Sequence, residues 1–149
     1  QEILAGLAEQ SFELLGAALR RVPADLPPDA RLVELGMAYL RFAADNPEDL
    51  QCIVTVASEQ LSPELSPMLE SGLGLTRLLS ETLQEGVAAG VFRGLPSDEL
   101  PVSAFSLWSL VHGMATLAGT DLHAVQDQVR RDTRRVLEQY VDGLRRRED

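Results

Sequence analysis

The chain has 149 residues, one cysteine and a formal net charge of −10, with 13 basic and 23 acidic residues. This length predicts a single domain over residues 1–149 with a substantial core. The lone Cys52 excludes an intramolecular disulfide. The acidic excess excludes strong binding to duplex DNA, which requires a basic face.

The first predicted helix covers Ile3–Val22, where apolar side chains recur at helical spacing. The proline-rich stretch VPADLPPD ends it, and Asp29 is predicted to cap a second helix over Ala30–Ala44. That second helix is apolar around most of its circumference, which predicts that it is the central helix of the domain. Because the chain opens without an initiator methionine and already in helical pattern, we expect further residues upstream.

Two further helices are predicted in the middle of the chain. Asn46 and Pro47 form a start signal for a short helix to about Ala57, with Asn46 as its N-cap. The next helix is predicted over residues 64–89, and Gly90 is predicted to end it.

The stretch Leu100–Thr120 carries no formal charge, and a helix is predicted over residues 98–118 with Ser97 as its cap and Gly119 at its end. A helix that is uncharged all round must be covered on both sides, which favours a subunit interface and a buried cavity. Its length would suit a membrane span, but its serines, threonine, histidine and proline argue against a membrane.

The last predicted helix covers residues 122–144 and is amphipathic, with arginines and acids opposite one apolar stripe. The alternating pattern of a strand is missing from the sequence. We therefore predict an all-α antiparallel bundle of about six helices. The stripe consists of Leu122, Val125, Val129, Thr133, Val136, Leu137, Tyr140 and Leu144.

The uncharged helix has three faces on a helical wheel. One is broadly apolar and is predicted to face the core. Phe105, Trp108 and His112 lie beside it, one turn apart. A seam of small residues runs opposite and would let another helix approach closely, either the last helix or the same helix of a second copy. The seam consists of Val102, Ser106, Ser109, Gly113 and Thr116.

Motifs for catalysis and metal binding are missing from the sequence. It contains neither a G-x-S-x-G nucleophile elbow nor a phosphate-binding loop. Cys52, His112 and His123 are scattered without the spacing of metal ligands. We therefore expect neither an enzyme, nor a metal site, nor a cofactor.

Three segments resemble the C-terminal domain of TetR-family transcriptional regulators. Trp108, His112 and Gly113 in LWSLVHGMATLA resemble the tryptophan, histidine and glycine signature of its WHG type. Residues 35–54 resemble that family's aromatic helix followed by an asparagine-proline helix start, and GVAAGVFRGLPSDEL resembles the turn before its interface helix. The resemblance covers nearly the whole chain.

The resemblance implies a regulatory domain without its DNA reader. In this family an N-terminal helix-turn-helix binds operator DNA, and the C-terminal domain binds a small effector and dimerises. Residues 1–22 form one amphipathic helix here, with no recognition helix, so this chain is not expected to bind DNA specifically. Whether such a head was removed or never present stays open.

The resemblance also implies two sites. The last two helices would form a four-helix bundle across a twofold axis, and a cavity would lie among the helices at 30–44, 47–57, 64–89 and 98–118. The candidate ligand-binding residues are Tyr39, Phe42, Cys52, Met68, Phe105, Trp108 and His112. The candidate dimer-interface residues are Val102, Ser106, Ser109, Gly113, Thr116, Val129, Val136 and Tyr140.

The expected function is therefore that of a cytoplasmic, homodimeric regulatory domain, part of a repressor whose DNA affinity is changed by a small apolar or aromatic effector. The alternative is a helical protein–protein interaction module without a small ligand. A closed apolar cavity would favour the regulatory domain, and a solid core with an exposed apolar groove would favour the interaction module.

Overall fold

The regular structure in the computed structural model, which describes residues 2–58, 74–93 and 95–145, is helical throughout. A single 3-10 turn at Ser97–Glu99 precedes the fifth helix. This confirms the predicted all-α bundle of about six helices, six of which lie within the described ranges. The beginning of the predicted fourth helix, at residues 64–73, lies outside the described residues. The helices are α1 (Glu2–Arg20), α2 (Pro28–Asp45), α3 (Pro47–Ser58), α4 (Gly74–Ala88), α5 (Leu100–Ala118) and α6 (His123–Arg145).

Helix α2 is the centre of the bundle and contacts each of the other five helices. It buries residues at spacings of one, three and four, as its sequence predicted for a helix covered on most sides. The prediction of a central helix is therefore confirmed. Its buried residues are Leu32, Val33, Leu35, Gly36, Ala38, Tyr39, Phe42 and Ala43.

Gly36 allows α2 to approach α5 and α6 closely. A Cβ atom at this position would lie 2.8 Å from Cδ1 of Leu137 on α6 and 3.3 Å from Cγ1 of Val111 on α5. Leu137 is 0% and Val111 1% exposed, so neither side chain has free space to retreat into. The missing side chain of Gly36 thus sets the distance at which three helices cross.

Two predicted helix caps are wrong. Helix α2 begins at Pro28, after Pro27, so Asp29 lies in its first turn, where its carboxylate pairs with Arg145 of α6. Ser97 is not the cap of α5, because it begins the 3-10 turn and Glu99 occupies the cap position, with no side-chain cap hydrogen bond.

Asn46, in contrast, directly precedes α3, which begins at Pro47 as predicted. The Asn46 Nδ2 donates to the Phe42 carbonyl (3.1 Å) and closes the end of α2. The Asp29 carboxylate is thus taken by a distant partner, whereas the Asn46 side chain bonds to a carbonyl one helical turn earlier.

The end of α4 confirms the predicted glycine signal. Gly90 adopts φ +73°, a left-handed conformation that favours glycine. The chain then turns back, and the N–H groups of Val91 and Phe92 both donate to the Gly86 carbonyl, at 2.8 and 3.2 Å. As a result, the buried Phe92 ring lies directly on Gly86, where a Cβ atom would be 2.2 Å from ring carbon Cδ2.

Helix α5 is the one helix in the described ranges with the length and composition of a membrane span, with a mean hydropathy of 1.3 over its apolar window. Core helices pass the same test, and α5 packs against α2, α4 and α6. Its buried residues are Ser103, Ala104, Leu107, Val111, Met114 and Ala115.

We predict that Gly86→Ala lowers the free energy of unfolding by about 2 to 3 kcal/mol, because the new methyl group overlaps the buried Phe92 ring. Urea denaturation followed by circular dichroism measures this. Gly6→Ala is the matched control, since a Cβ atom there meets nothing within 4 Å. Equal unfolding midpoints for the two variants would contradict the prediction.

Candidate functional site

A hydrogen bond joins the central helix to the uncharged helix. The Tyr39 hydroxyl on α2 lies 3.0 Å from Nδ1 of His112 on α5. Tyr39 is 2% exposed, and burial raises its pKa to about 12, so the side chain is a neutral phenol at ordinary pH. A neutral phenol can donate or accept, so the hydroxyl donates to Nδ1 in the His112 tautomer with its proton on Nε2 and accepts from Nδ1–H in the other tautomer.

Two aromatic rings extend this pair toward the surface. Trp108 stacks on His112, with ring centroids 5.6 Å apart and planes 21° from parallel. Phe105 meets Trp108 in a tilted arrangement at 6.0 Å. We call Tyr39, His112, Trp108 and Phe105 the aromatic row. It runs from a fully buried residue, through two half-buried ones, to Phe105, which is 59% exposed.

Phe42 and Cys52 are the other predicted ligand residues that the structure describes. Phe42 is buried and borders a separate groove of about 430 Å³ between α1 and α2. Cys52 is half-buried on α3. Within the described part of the chain, neither forms a hydrogen bond or ring contact with the row. Met68 lies outside the described residues.

The predicted seam of small residues lies on the outward side of α5. Val102, Ser109, Gly113 and Thr116 are exposed, and Ser106 is half-buried. Phe105 and Leu117 flank the seam, so an exposed surface without formal charge follows the whole helix. We call this surface the outer face of α5; it consists of Val102, Phe105, Ser109, Gly113, Thr116 and Leu117.

The three predicted interface residues of α6 are half-buried. Val129, Val136 and Tyr140 all pack against the core cluster. The Tyr140 hydroxyl donates to the Ser103 carbonyl of α5 at 3.0 Å, so this residue joins the two final helices within one chain. Burial raises the pKa of this phenol as well.

A cleft lies where α2, α3, α5 and α6 meet, and we call it the α3 cleft. The first three of these helices were expected to border a cavity, but the candidate ligand residues that the structure describes do not line this cleft, and the part of α6 was not predicted. The volume of the cleft is about 650 Å³. The signal that could have indicated it is the run of alanines and glycine at the ends of α2 and α5. It is lined by Leu40, Ala43, Ala44, Pro47, Leu50, Gln51, Val54, Ala115, Thr116, Ala118, Gly119, Thr120, Val129, Arg130 and Thr133.

A second cleft, of about 840 Å³, lies between α1 and the first half of α4, with Phe12, Leu15 and Leu75 in its walls. Across residues 2–58, 74–93 and 95–145, no three His, Cys, Asp or Glu side chains lie close enough together to hold a metal ion.

The high pKa of Tyr39 predicts a loss of stability in alkali. The unfolded phenol ionises near pH 10, whereas the folded one does so near pH 12. The raised pKa therefore stabilises the folded state fully below pH 10. This stabilisation, about 2 to 3 kcal/mol, is lost as the pH rises through 12. Tyr39→Phe should therefore lose less stability than the wild type in urea denaturation between these pH values.

Tyr140→Phe is the matched control, because Tyr140 is the only other tyrosine and is half-buried. Burial raises the pKa of Tyr140 as well, so the loss of stability above pH 10 should be largest for the wild type, smaller for Tyr140→Phe and smallest for Tyr39→Phe. If the free energy of unfolding of Tyr39→Phe fell with pH as steeply as that of the wild type, the raised pKa of the buried Tyr39 phenol would be contradicted.

Comparison with known proteins agrees with this architecture. Residues 32–144 match the family described as tetracyclin repressor-like, C-terminal domain. A solved structure of a protein with unknown function from Rhodococcus sp. RHA1 is similar, with a TM-score of 0.77 and 28% identity. That match covers 96% of this chain and 72% of the other. Comparison with curated protein sequences gives no match.

A bacterial regulatory protein in the tetR family from Rhodococcus RHA1 is also similar in structure, with a TM-score of 0.76 and 18% identity over 99% of this chain and 75% of the other. The family match spans most of the chain and includes the Trp108, His112 and Gly113 signature. The chain therefore belongs to the tetracyclin repressor-like C-terminal domain family and is a regulatory domain of the TetR type.

Proposed function

We propose that this domain binds a small, largely apolar or aromatic effector and dimerises, and that effector binding changes the operator affinity of a repressor. The observation that carries the proposal is the aromatic row, because it connects the buried centre of α2 with the outer face of α5. A ligand that contacts the row would therefore affect both the core and the outer face of α5.

The middle of the row has the chemistry of an effector contact. Trp108 and His112 are half-buried and offer ring faces to an apolar or aromatic ligand. Tyr39 holds the imidazole through Nδ1, and Nε2 has no hydrogen-bond partner among the described residues. That nitrogen is therefore free to orient the polar end of a ligand, as expected in a pocket with apolar walls and few polar groups.

A hydrogen bond links α3 to α1. The Ser11 hydroxyl is 2.6 Å from Oδ1 of Asp49 on α3, and Ser11 is 3% exposed. In a complete repressor, α1 would join the regulatory domain to an N-terminal helix-turn-helix that contacts operator DNA. An effector that moved α3 would shift α1 and so change the spacing of the two DNA-binding heads.

The outer face of α5 suits association with a second copy. Val102, Phe105 and Leu117 are 63%, 59% and 46% exposed, and Leu122 just beyond the helix is 62% exposed. An uncharged patch of this kind on an acidic chain is a preferred contact surface. Packed across a twofold axis, α5 and α6 of two copies would form a four-helix bundle. We place the protein in the cytoplasm.

The same outer face supports the alternative, a helical module that binds a different protein. The oligomeric state separates the two functions, since an effector-binding repressor domain should be a homodimer. A monomer that binds no small molecule would favour the interaction module.

Gly113→Leu should weaken dimerisation at least about tenfold, because a side chain there would separate two closely packed helices. Within one chain a Cβ atom on Gly113 meets nothing within 4 Å, so the fold should tolerate the change. Analytical ultracentrifugation measures the dimer dissociation constant. Gly6→Leu, also in open space, is the control and should not change it. A wild-type monomer at micromolar concentration would exclude the homodimer.

Trp108 is the only tryptophan, so its fluorescence reports one site. A small aromatic compound found by calorimetry to bind should shift or quench this emission. Its affinity should fall about five- to tenfold in His112→Ala, which removes the free ring nitrogen. His123→Ala, at the exposed second histidine outside the row, is the matched control. A bound ligand that leaves the emission and the His112→Ala affinity unchanged would exclude the row as the effector site.

A further inference from the structure

The floor of the α3 cleft is apolar and formed by small side chains. Ala43 and Ala115 are 8% and 7% exposed, and the larger Leu40, Leu50 and Val54 are half-buried around them. The two alanines leave the space that longer side chains would fill. The volume of about 650 Å³ lies within the range of about 300 to 1,000 Å³ typical of small-molecule sites.

The hydroxyl groups at the cleft do not present free donors. Thr116 donates to the His112 carbonyl at 2.9 Å, Thr120 to the Leu117 carbonyl at 2.8 Å, and Thr133 to the Val129 carbonyl. Each hydroxyl has a single hydrogen, so these groups are left as acceptors.

The donors that face a ligand are therefore Arg130 and Gln51. One amide hydrogen of Gln51 is directed to Thr55 Oγ1 at 3.3 Å, and the other is left over. Both residues are exposed, which places them at the mouth of the cleft above the buried alanines.

Arg130 is also the only charged residue in the lining, although the chain has a net charge of −10. Its guanidinium forms no ion pair within the described ranges, whereas Arg134 of the same helix pairs with Glu34 at 2.8 Å. An unpaired guanidinium above an apolar floor complements a carboxylate on an apolar body.

We propose that the α3 cleft binds an amphipathic monocarboxylate, with its apolar body against Ala43 and Ala115 and its carboxylate at Arg130. This site is separate from the aromatic row, although Ala43 and Thr116 follow Tyr39 and His112 by one helical turn. The inference concerns binding and does not depend on the proposed repressor function.

The test is isothermal titration calorimetry with decanoate below its micelle concentration. Decanoate should bind the wild-type protein. Butyrate keeps the carboxylate but lacks the apolar body, and decanol keeps the body but lacks the charge, so both should bind at least about fivefold more weakly.

Arg130→Gln should weaken decanoate binding about fivefold, as expected for a partly solvated charged contact. Arg135→Gln, an exposed arginine of the same helix outside the lining, makes the same charge change and should leave the affinity unaltered. Ala118→Leu, which fills the cleft from its half-buried wall, should abolish binding, with circular dichroism verifying that each variant folds.

Three results would overturn the proposal: no detectable binding at millimolar decanoate, decanol binding as tightly as decanoate, or equal effects of Arg130→Gln and Arg135→Gln. Sedimentation of Ala118→Leu adds a fourth. If this variant disrupts a dimer while decanoate binding persists, the cleft is a contact between two copies and not a carboxylate site.

Discussion

The close crossing of α2 with α5 and α6 at Gly36 is the constraint on which the other features depend. With no side chain at this position, Leu137 and Val111 pack directly against the backbone of α2. Tyr39 follows Gly36 by three residues and His112 directly follows Val111, so the same crossing sets the length of their hydrogen bond. A wider crossing would separate these two atoms. The crossing also holds the opposite side of α5 outward, where its uncharged residues are exposed.

Charged residues contribute little to the packing of the helices, but their distribution influences how two copies would associate. Arg134 with Glu34 and Arg145 with Asp29 connect α6 to α2, but exposed ion pairs contribute only about 0 to 1 kcal/mol each. Packing at Gly36 therefore governs the position of α6. The acidic excess has a different effect, because it makes two copies repel each other over most of their surfaces. The outer face of α5 has no formal charge, so repulsion is weakest where the apolar side chains are exposed.

Local patterns in the sequence predicted the features that depend on neighbouring residues. Helical spacing was sufficient for the six helices and for the central position of α2, and Gly90 has the conformation its residue type favours. The caps at Asp29 and Ser97 were wrong, because Arg145 of α6 pairs with the Asp29 carboxylate and a 3-10 turn separates Ser97 from α5. Tyr39 and His112 were both candidates, yet their pairing spans 73 residues of sequence, and no periodicity predicts a contact of that range. The α3 cleft needs four helices at once, so it appears only in three dimensions.

Under the proposed function, an effector signal from α3 would reach α1 in part through the hydrogen bond between Ser11 and Asp49. A useful allosteric coupling is about 1 to 3 kcal/mol, and leaving a buried polar group unpaired costs a similar amount. The Ser11 hydroxyl has a second acceptor, the Leu7 carbonyl at 3.0 Å, so it would stay bonded if α3 moved away. The cost would then fall on the half-buried Asp49 carboxylate, which water can partly solvate. In the proposed mechanism this one contact would therefore supply the lower end of the coupling, and the packing between α1 and α3 would supply the rest.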